Sequence, residues 1–246
     1  MVDALTAGGP SRVLFGRHKF PPVGWSTCCL PRPTPDGDQG DGVHPRRSCG
    51  YNPHVQFLFV CTANICRSPM AAALFAAQTR GLTDSVQVSS AGLLAEARSA
   101  PDEVPDEVLE VMRPYGIDLR DHRSRQLTEP MVAGADLIIG MGRRHVQEAV
   151  LLDPSSWPRA FMLKEMVRRG NELGPRLPGQ DIRSWIDAVH GDRTRTSLAH
   201  RSVADEVADP YGGTLEGYRS TATELGQLIA RLTQLLWDWG PEVGGS

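Results

Sequence analysis

No stretch of this chain approaches the roughly 18 consecutive apolar residues that a membrane span requires. The N-terminal region also lacks the basic head and unbroken apolar run of a secretory signal, because Pro, Gly and Arg interrupt it throughout. A cytoplasmic location is therefore expected. Charge of one sign is lacking too. The 26 Lys and Arg against 29 Asp and Glu leave a net charge of -3, which offers no global footprint for nucleic acid or an anionic membrane. The pairs Arg143–Arg144 and Arg168–Arg169 read as solvated helix faces. Cysteine is sparse and one-sided: Cys28, Cys29, Cys49, Cys61 and Cys66 all lie in the first third of the 246 residues. An odd count without a regular framework or an export signal argues against structural disulfides and for free or reactive thiols.

Residues 1–53 are dense in Gly and Pro, as in Pro31-Arg32-Pro33-Thr34-Pro35, and carry no apolar periodicity. Such a segment cannot bury enough surface to offset the entropy of ordering, so it reads as a flexible extension. A regulatory tail, or a start assigned too far upstream, would give the same pattern. Order begins at Val55, where Val55 to Val60 is a short apolar run suited to a central parallel strand. Ser68-Pro69 opens a helix that stops near Gly81. A strand fits Val86 to Ala91, a helix Pro105 to Tyr115 with Gly116 as its stop, and a short helix starts at Thr128. Asp136 to Met141 is a third strand and Ala160 to Leu163 a fourth. Leu215, Tyr218, Leu225, Leu228, Leu232, Leu235 and Trp239 form one apolar helical stripe. Strands alternating with helices predict a three-layer α/β fold, with a short parallel sheet of about four strands covered on both faces. Residues 54–246 read as one domain. Within it, 164–207 reads as an insertion or long connection with one helix, Asp181 to His190.

The chemistry concentrates in Cys61-Thr62-Ala63-Asn64-Ile65-Cys66-Arg67-Ser68-Pro69. A buried strand ends there and a helix begins, and ligands gather at the carboxyl ends of parallel strands. A loop entering a helix N-terminus presents unpaired N–H groups and the positive end of the dipole, which suits an anion. Thr62, Ala63, Asn64, Ile65, Cys66 and Arg67 are the candidate phosphate binders. Cys61 is the candidate nucleophile, since a helix N-terminus and a cation favour the reactive thiolate. The planar fork of Arg67 can hold two phosphate oxygens at once, and Ser68 can donate a hydrogen bond to the thiolate. Asn64 tolerates the left-handed backbone that a loop wrapped round an anion needs. Two cysteines five apart could instead be metal ligands, but zinc takes three or four protein ligands and no second pair exists outside the extension. A redox pair stays open.

The segment resembles the signature Val-Cys-x-Gly-Asn-Ile-Cys-Arg-Ser-Pro of the low-molecular-weight protein tyrosine phosphatases, departing only at Ala63. Ser89-Ser90-Ala91-Gly92, Gly116-Ile117-Asp118, His122 to Thr128, Asp136 to Met141 and Asp209-Pro210-Tyr211-Gly212 continue it in order. The resemblance implies a flavodoxin-like fold, a phosphorylated protein as substrate, and no metal or cofactor. It implies that Cys61 forms a phosphocysteine, Arg67 and the loop stabilise charge, Ser68 stabilises Cys61, and Asp209 acts as acid and then base. It further implies that Asn64, Ser90 and His122 brace the loop and that Cys66 is a redox partner for Cys61. Taken without it, Asp209 would be a turn-forming residue and Cys66 a packing cysteine.

Arsenate reductases with the same loop relay oxidation through downstream cysteines, which are lacking after Cys66. Protein-arginine phosphatases usually carry Thr where this chain has Ile65; an apolar Ile65 suits an aromatic ring. The family's aromatic residue on the loop after Gly92 is replaced by Leu93-Leu94-Ala95-Glu96-Ala97-Arg98. Its second tyrosine after Asp-Pro-Tyr is Gly212, and Gly142 stands where Asp is common. The expected substrate rim is then Ile65 and Tyr211, with Leu93 or Leu94. The nearest alternatives are a protein-arginine phosphatase, or an arsenate-reductase-like or redox-sensing module.

Overall fold

The computed structural model describes residues 54–82, 85–95, 103–194 and 205–237. The extension 1–53, Glu96 to Arg98 and Trp239 lie outside them. Four strands form one parallel sheet: β1 (Val55–Cys61), β2 (Val86–Gly92), β3 (Leu137–Gly140) and β4 (Ala160–Met162), in the order β2-β1-β3-β4. The helices are α1 (Arg67–Thr79), α2 (Asp106–Met112), α3 (Glu129–Gly134), α4 (Arg143–Leu152), α5 (Leu163–Leu173), α6 (Ile182–His190) and α7 (Leu215–Trp237). Among the described residues no helix is long and apolar enough to cross a membrane.

Why β1 is apolar along nearly its whole length is plain from its place. It pairs on both sides, with Phe57 opposite both Val88 and Leu137. Period-two alternation sends Phe57, Phe59 and Cys61 to one face and Leu58 and Val60 to the other, and both faces are covered. The first face packs on α1, α5, α6 and α7. There the Phe75 ring lies 4.6 Å from Phe57 and 5.9 Å from Trp237. The second face packs on α3, α4 and Trp157. This is the expected three-layer α/β arrangement.

Element ends follow local chemistry. α2 tightens into a 3-10 turn over Arg113–Tyr115 and stops at Gly116, whose φ of 70° costs a glycine nothing. The third expected strand is shorter than read, Leu137–Gly140. The sequence reading assigned no helix to α4 or α5. α4 buries only His145, Val146 and Ala149, too small a stripe to stand out. α5 buries Leu163, Met166, Val167 and Gly170 at helical spacing, but Gly170 hides the pattern. A Cβ on Gly170 would lie 2.8 Å from Leu235 and 3.2 Å from Trp185, so a side chain there would force α5 away from α7 and α6. The segment 164–207 thus holds most of α5 as well as the expected helix near Asp181.

The Arg pairs need correction at one member each. Arg144 is exposed, but the largely buried Arg143 faces Glu206 at 3.9 Å, and Arg168 meets Asp205 at 3.5 Å. Arg169 donates to the Val189 and His190 carbonyls and pairs with Asp192 at 2.9 Å. Arg144 and Arg168 thus lie on exposed faces as expected, while Arg143 and Arg169 tie separate parts of the chain together.

Candidate active site

β1 ends on Cys61, and the chain must turn round before α1 can start with its N-cap at Cys66. Asn64 makes that turn with φ 55°, a left-handed backbone that Asn bears better than most residues. Gly92, the last residue of β2, lies directly behind. A Cβ there would come within 2.8 Å of the Ala63 carbonyl carbon and the Asn64 nitrogen, so only glycine lets β2 approach this closely.

The carbonyls of Cys61 to Asn64 and the Asn64 side chain each have a fixed neighbour. The Leu93 N–H donates to Cys61 O at 3.1 Å and the Leu94 N–H to Thr62 O at 2.8 Å. Ser124 Oγ donates to Ala63 O at 2.7 Å, and Arg125 N–H to Asn64 Oδ1 at 2.9 Å. Asn64 Nδ2 donates to Ser68 Oγ and to Ser90 Oγ, both at 2.9 Å. His122 Nε2 lies 2.7 Å from Asn64 O, and a carbonyl there requires the ring to donate. Burial lowers the pKa of His122 from its ordinary value, partly offset by that carbonyl. Asn64, Ser90 and His122 therefore meet at the loop, joined by Ser124 and Arg125, to which the sequence reading attached no role.

Inside the loop, two donors converge on Cys61 Sγ: Ser68 Oγ at 3.0 Å and Asn64 N–H at 3.2 Å. Both stabilise negative charge on sulfur. Arg67, 7% exposed, donates from one terminal nitrogen to Val207 O at 3.2 Å and from the other to Thr62 Oγ1 at 3.2 Å. That second nitrogen also pairs with Asp209 Oδ2. Arg67 Nε is buried and has no hydrogen-bond partner among the described residues. An anion in the cradle would satisfy it, and α1 points its dipole the same way. Asp209 also performs the turn duty expected of it without the resemblance, because its Oδ1 accepts the Tyr211 N–H at 3.3 Å. Its carboxylate is half exposed, held beside Arg67 by a short segment that the Val207 N–H anchors on Met141 O at 2.9 Å.

The two expected rim residues part company. Tyr211 is 59% exposed, whereas Ile65 is 2% exposed and packs into the core. Ile65 is part of the core cluster that also holds Cys61, Cys66 and Met70, so its side chain is not exposed on an open rim. Leu94 is exposed near the same edge. Cys61 and Cys66 are both free thiols, and Cys66 packs against Tyr218 of α7. His145, at the start of α4, was missed by the sequence reading. Its Nε2 lies 3.2 Å from Thr62 Oγ1, and nothing in a lone His after two Arg residues signals that.

A thiol receiving two hydrogen bonds at a helix N-terminus, beside a buried guanidinium and a carboxylate, defines a cysteine-based anion site on a doubly covered parallel sheet. The family model for low molecular weight phosphotyrosine protein phosphatase matches residues 56–174. A protein-arginine-phosphatase of Bacillus subtilis is 31% identical over 184 residues, 74% of this chain and 97% of the relative. A probable low molecular weight protein-tyrosine-phosphatase of Ralstonia solanacearum is 42% identical over 109 residues, 44% of this chain and 70% of the relative. The crystal structure of a low molecular weight protein tyrosine phosphatase from T. tengcongensis superposes with a TM-score of 0.52 at 34% identity, covering 72% of this chain and 97% of that one. The chain belongs to the low molecular weight phosphotyrosine protein phosphatase family.

Proposed function

We propose that this protein hydrolyses phosphotyrosine on proteins through a phosphocysteine intermediate, with the activity carried by residues 54–246. The observation that carries the reading is the convergence of Ser68 Oγ and Asn64 N–H on Cys61 Sγ, beside Arg67 and Asp209. The thiolate attacks phosphorus and an S–P bond forms as the P–O bond to the aryl group breaks. Charge spread over the equatorial oxygens is met by Arg67 and by the loop N–H groups from Thr62 to Arg67. Asp209, protonated, gives its proton to the departing aryl oxygen. It then takes a proton from the water that attacks phosphorus, and the S–P bond breaks to return the thiolate to Ser68 and Asn64. Substrate phosphate competes with Asp209 for Arg67, so binding would free the carboxyl group to turn toward the leaving oxygen. Tyr211 is the exposed aromatic surface for the substrate ring.

A free thiol nucleophile fits a reducing compartment, which supports a cytoplasmic location. Cys66 belongs to the same proposal as a reversible redox partner that shields Cys61 from over-oxidation. A second reading, protein-arginine phosphatase, is favoured by the near full-length match to the enzyme of that name from Bacillus subtilis. Burial of Ile65 also removes the simplest argument for an aromatic substrate.

Hydrolysis of an aryl phosphate by the wild type and by Cys61→Ser tests the chemistry. Turnover should vanish in the variant; undiminished turnover there, or none in the wild type, would end the phosphatase reading. Parallel assays on phosphotyrosine and phosphoarginine peptides decide between the two substrates.

A further inference from the structure

The connection from β3 to α4 is only Met141 and Gly142, so the first turn of α4 lands at the carboxyl end of the sheet beside β1. Gly140 allows the close approach, because a Cβ there would lie 2.9 Å from Val146 Cγ2 and 3.1 Å from His145 Cβ. His145 is thereby pressed under the phosphate loop, 5% exposed, with Nε2 3.2 Å from Thr62 Oγ1. Thr62 Oγ1 in turn accepts from Arg67 at 3.2 Å. A hydroxyl has one hydrogen to donate. Arg67 can only donate and occupies one of the two lone pairs of Thr62 Oγ1, so the Thr62 hydrogen is available to His145 Nε2 when the ring carries its proton on Nδ1, an atom with no hydrogen-bond partner among the described residues.

We propose that His145 is a positioning residue for phosphate binding, its neutral ring orienting the Thr62 hydroxyl so that Thr62 holds the Arg67 fork toward the cradle. The proposal rests on the phosphatase reading for its consequence in turnover, but not for its effect on phosphate affinity. The charged groups acting on the ring are Arg67 from α1 and Arg144 from its own helix, both cationic. Burial first, then these two charges, push its pKa from 6.5 down to about 4, against a smaller opposing pull from the Gly142 carbonyl. The ring is therefore neutral throughout the working range.

The test measures inorganic phosphate binding by calorimetry, and KM and kcat on an aryl phosphate, for the full chain. His145→Leu should weaken phosphate binding and raise KM roughly tenfold, with a smaller change in kcat. His145→Gln, whose amide oxygen can accept in place of Nε2, should recover most of the affinity. Thr62→Val should match the Leu variant, and the double variant should be no worse than either single one. The nitrogen chemical shifts of the wild-type ring should report the Nδ1–H tautomer. Unchanged phosphate affinity in His145→Leu would overturn the proposal. So would losses that multiply in the double variant, a folded His145→Gln as weak as the Leu variant, or a ring protonated on Nε2. A wild type that binds phosphate without turnover removes the phosphatase reading and leaves this inference standing.

Discussion

Asp209 occupies two roles at once. Oδ1 closes the turn to Tyr211 while Oδ2 lies on Arg67. Asparagine keeps the turn-forming oxygen but loses the ion pair and the proton. Asp209→Asn should therefore fold normally and lose most rate on substrates with poor leaving groups, by roughly 10²–10⁴-fold, the usual worth of a general acid. On activated aryl phosphates the loss should be much smaller. A series of phenyl phosphates of graded leaving-group acidity measures it, and an equal loss across the series would refute the acid role. At this scale the sequence carries much of the site. Cys61, Arg67 and Ser68 sit within eight residues, and their spacing alone brings them to one loop. His145 carries no such local mark, and the burial of Ile65 depends on which way the loop curls.

β2 and the phosphate loop meet at Gly92, and that contact belongs to the elements rather than to any one side chain. Gly92→Ala would place a methyl group 2.8 Å from two backbone atoms of the loop, which have no flexible end to move aside. The strand and the loop must then separate, at a cost of about 1–3 kcal/mol. The same shift moves Asn64 away from Ser90 and loosens the donors to Cys61. Both the urea midpoint and kcat/KM should fall; retention of both would show that the sheet end yields more easily than the geometry indicates. Element identity was legible where an apolar run is unbroken, as in β1, or a helical stripe is strong, as in α7. α4 was not, because three buried positions among charged residues leave almost no signal.

Over the whole molecule, the buried neutral His145 ties stability to pH. Its pKa is near 4 in the folded chain and about 6.5 in the unfolded one, so between those values the unfolded chain binds more protons. Stability from this group is fully present above about pH 6.5 and is lost as pH falls toward 4, by on the order of 3 kcal/mol. His122, also lowered by burial, adds in the same direction. Urea unfolding of the wild type from pH 7 to pH 4 should show the decline, and His145→Gln should flatten it. A slope identical in both proteins would assign the decline to other groups.

The sequence by itself determined the nucleophile loop and the alternation of strands and helices. Both are local: a strand buried on two faces must be apolar throughout, and a cysteine, an arginine and a serine within eight residues come together once a strand gives way to a helix between them. Only the tertiary structure decided what meets that loop. Asp209 reaches Arg67 across 142 residues, Val207 lends it a carbonyl, and His145 comes beneath Thr62 from another helix. Those meetings depend on how α4 and the segment before α7 pack over the sheet. Packing of that kind is a property of the closed core and is written in no single stretch of the chain.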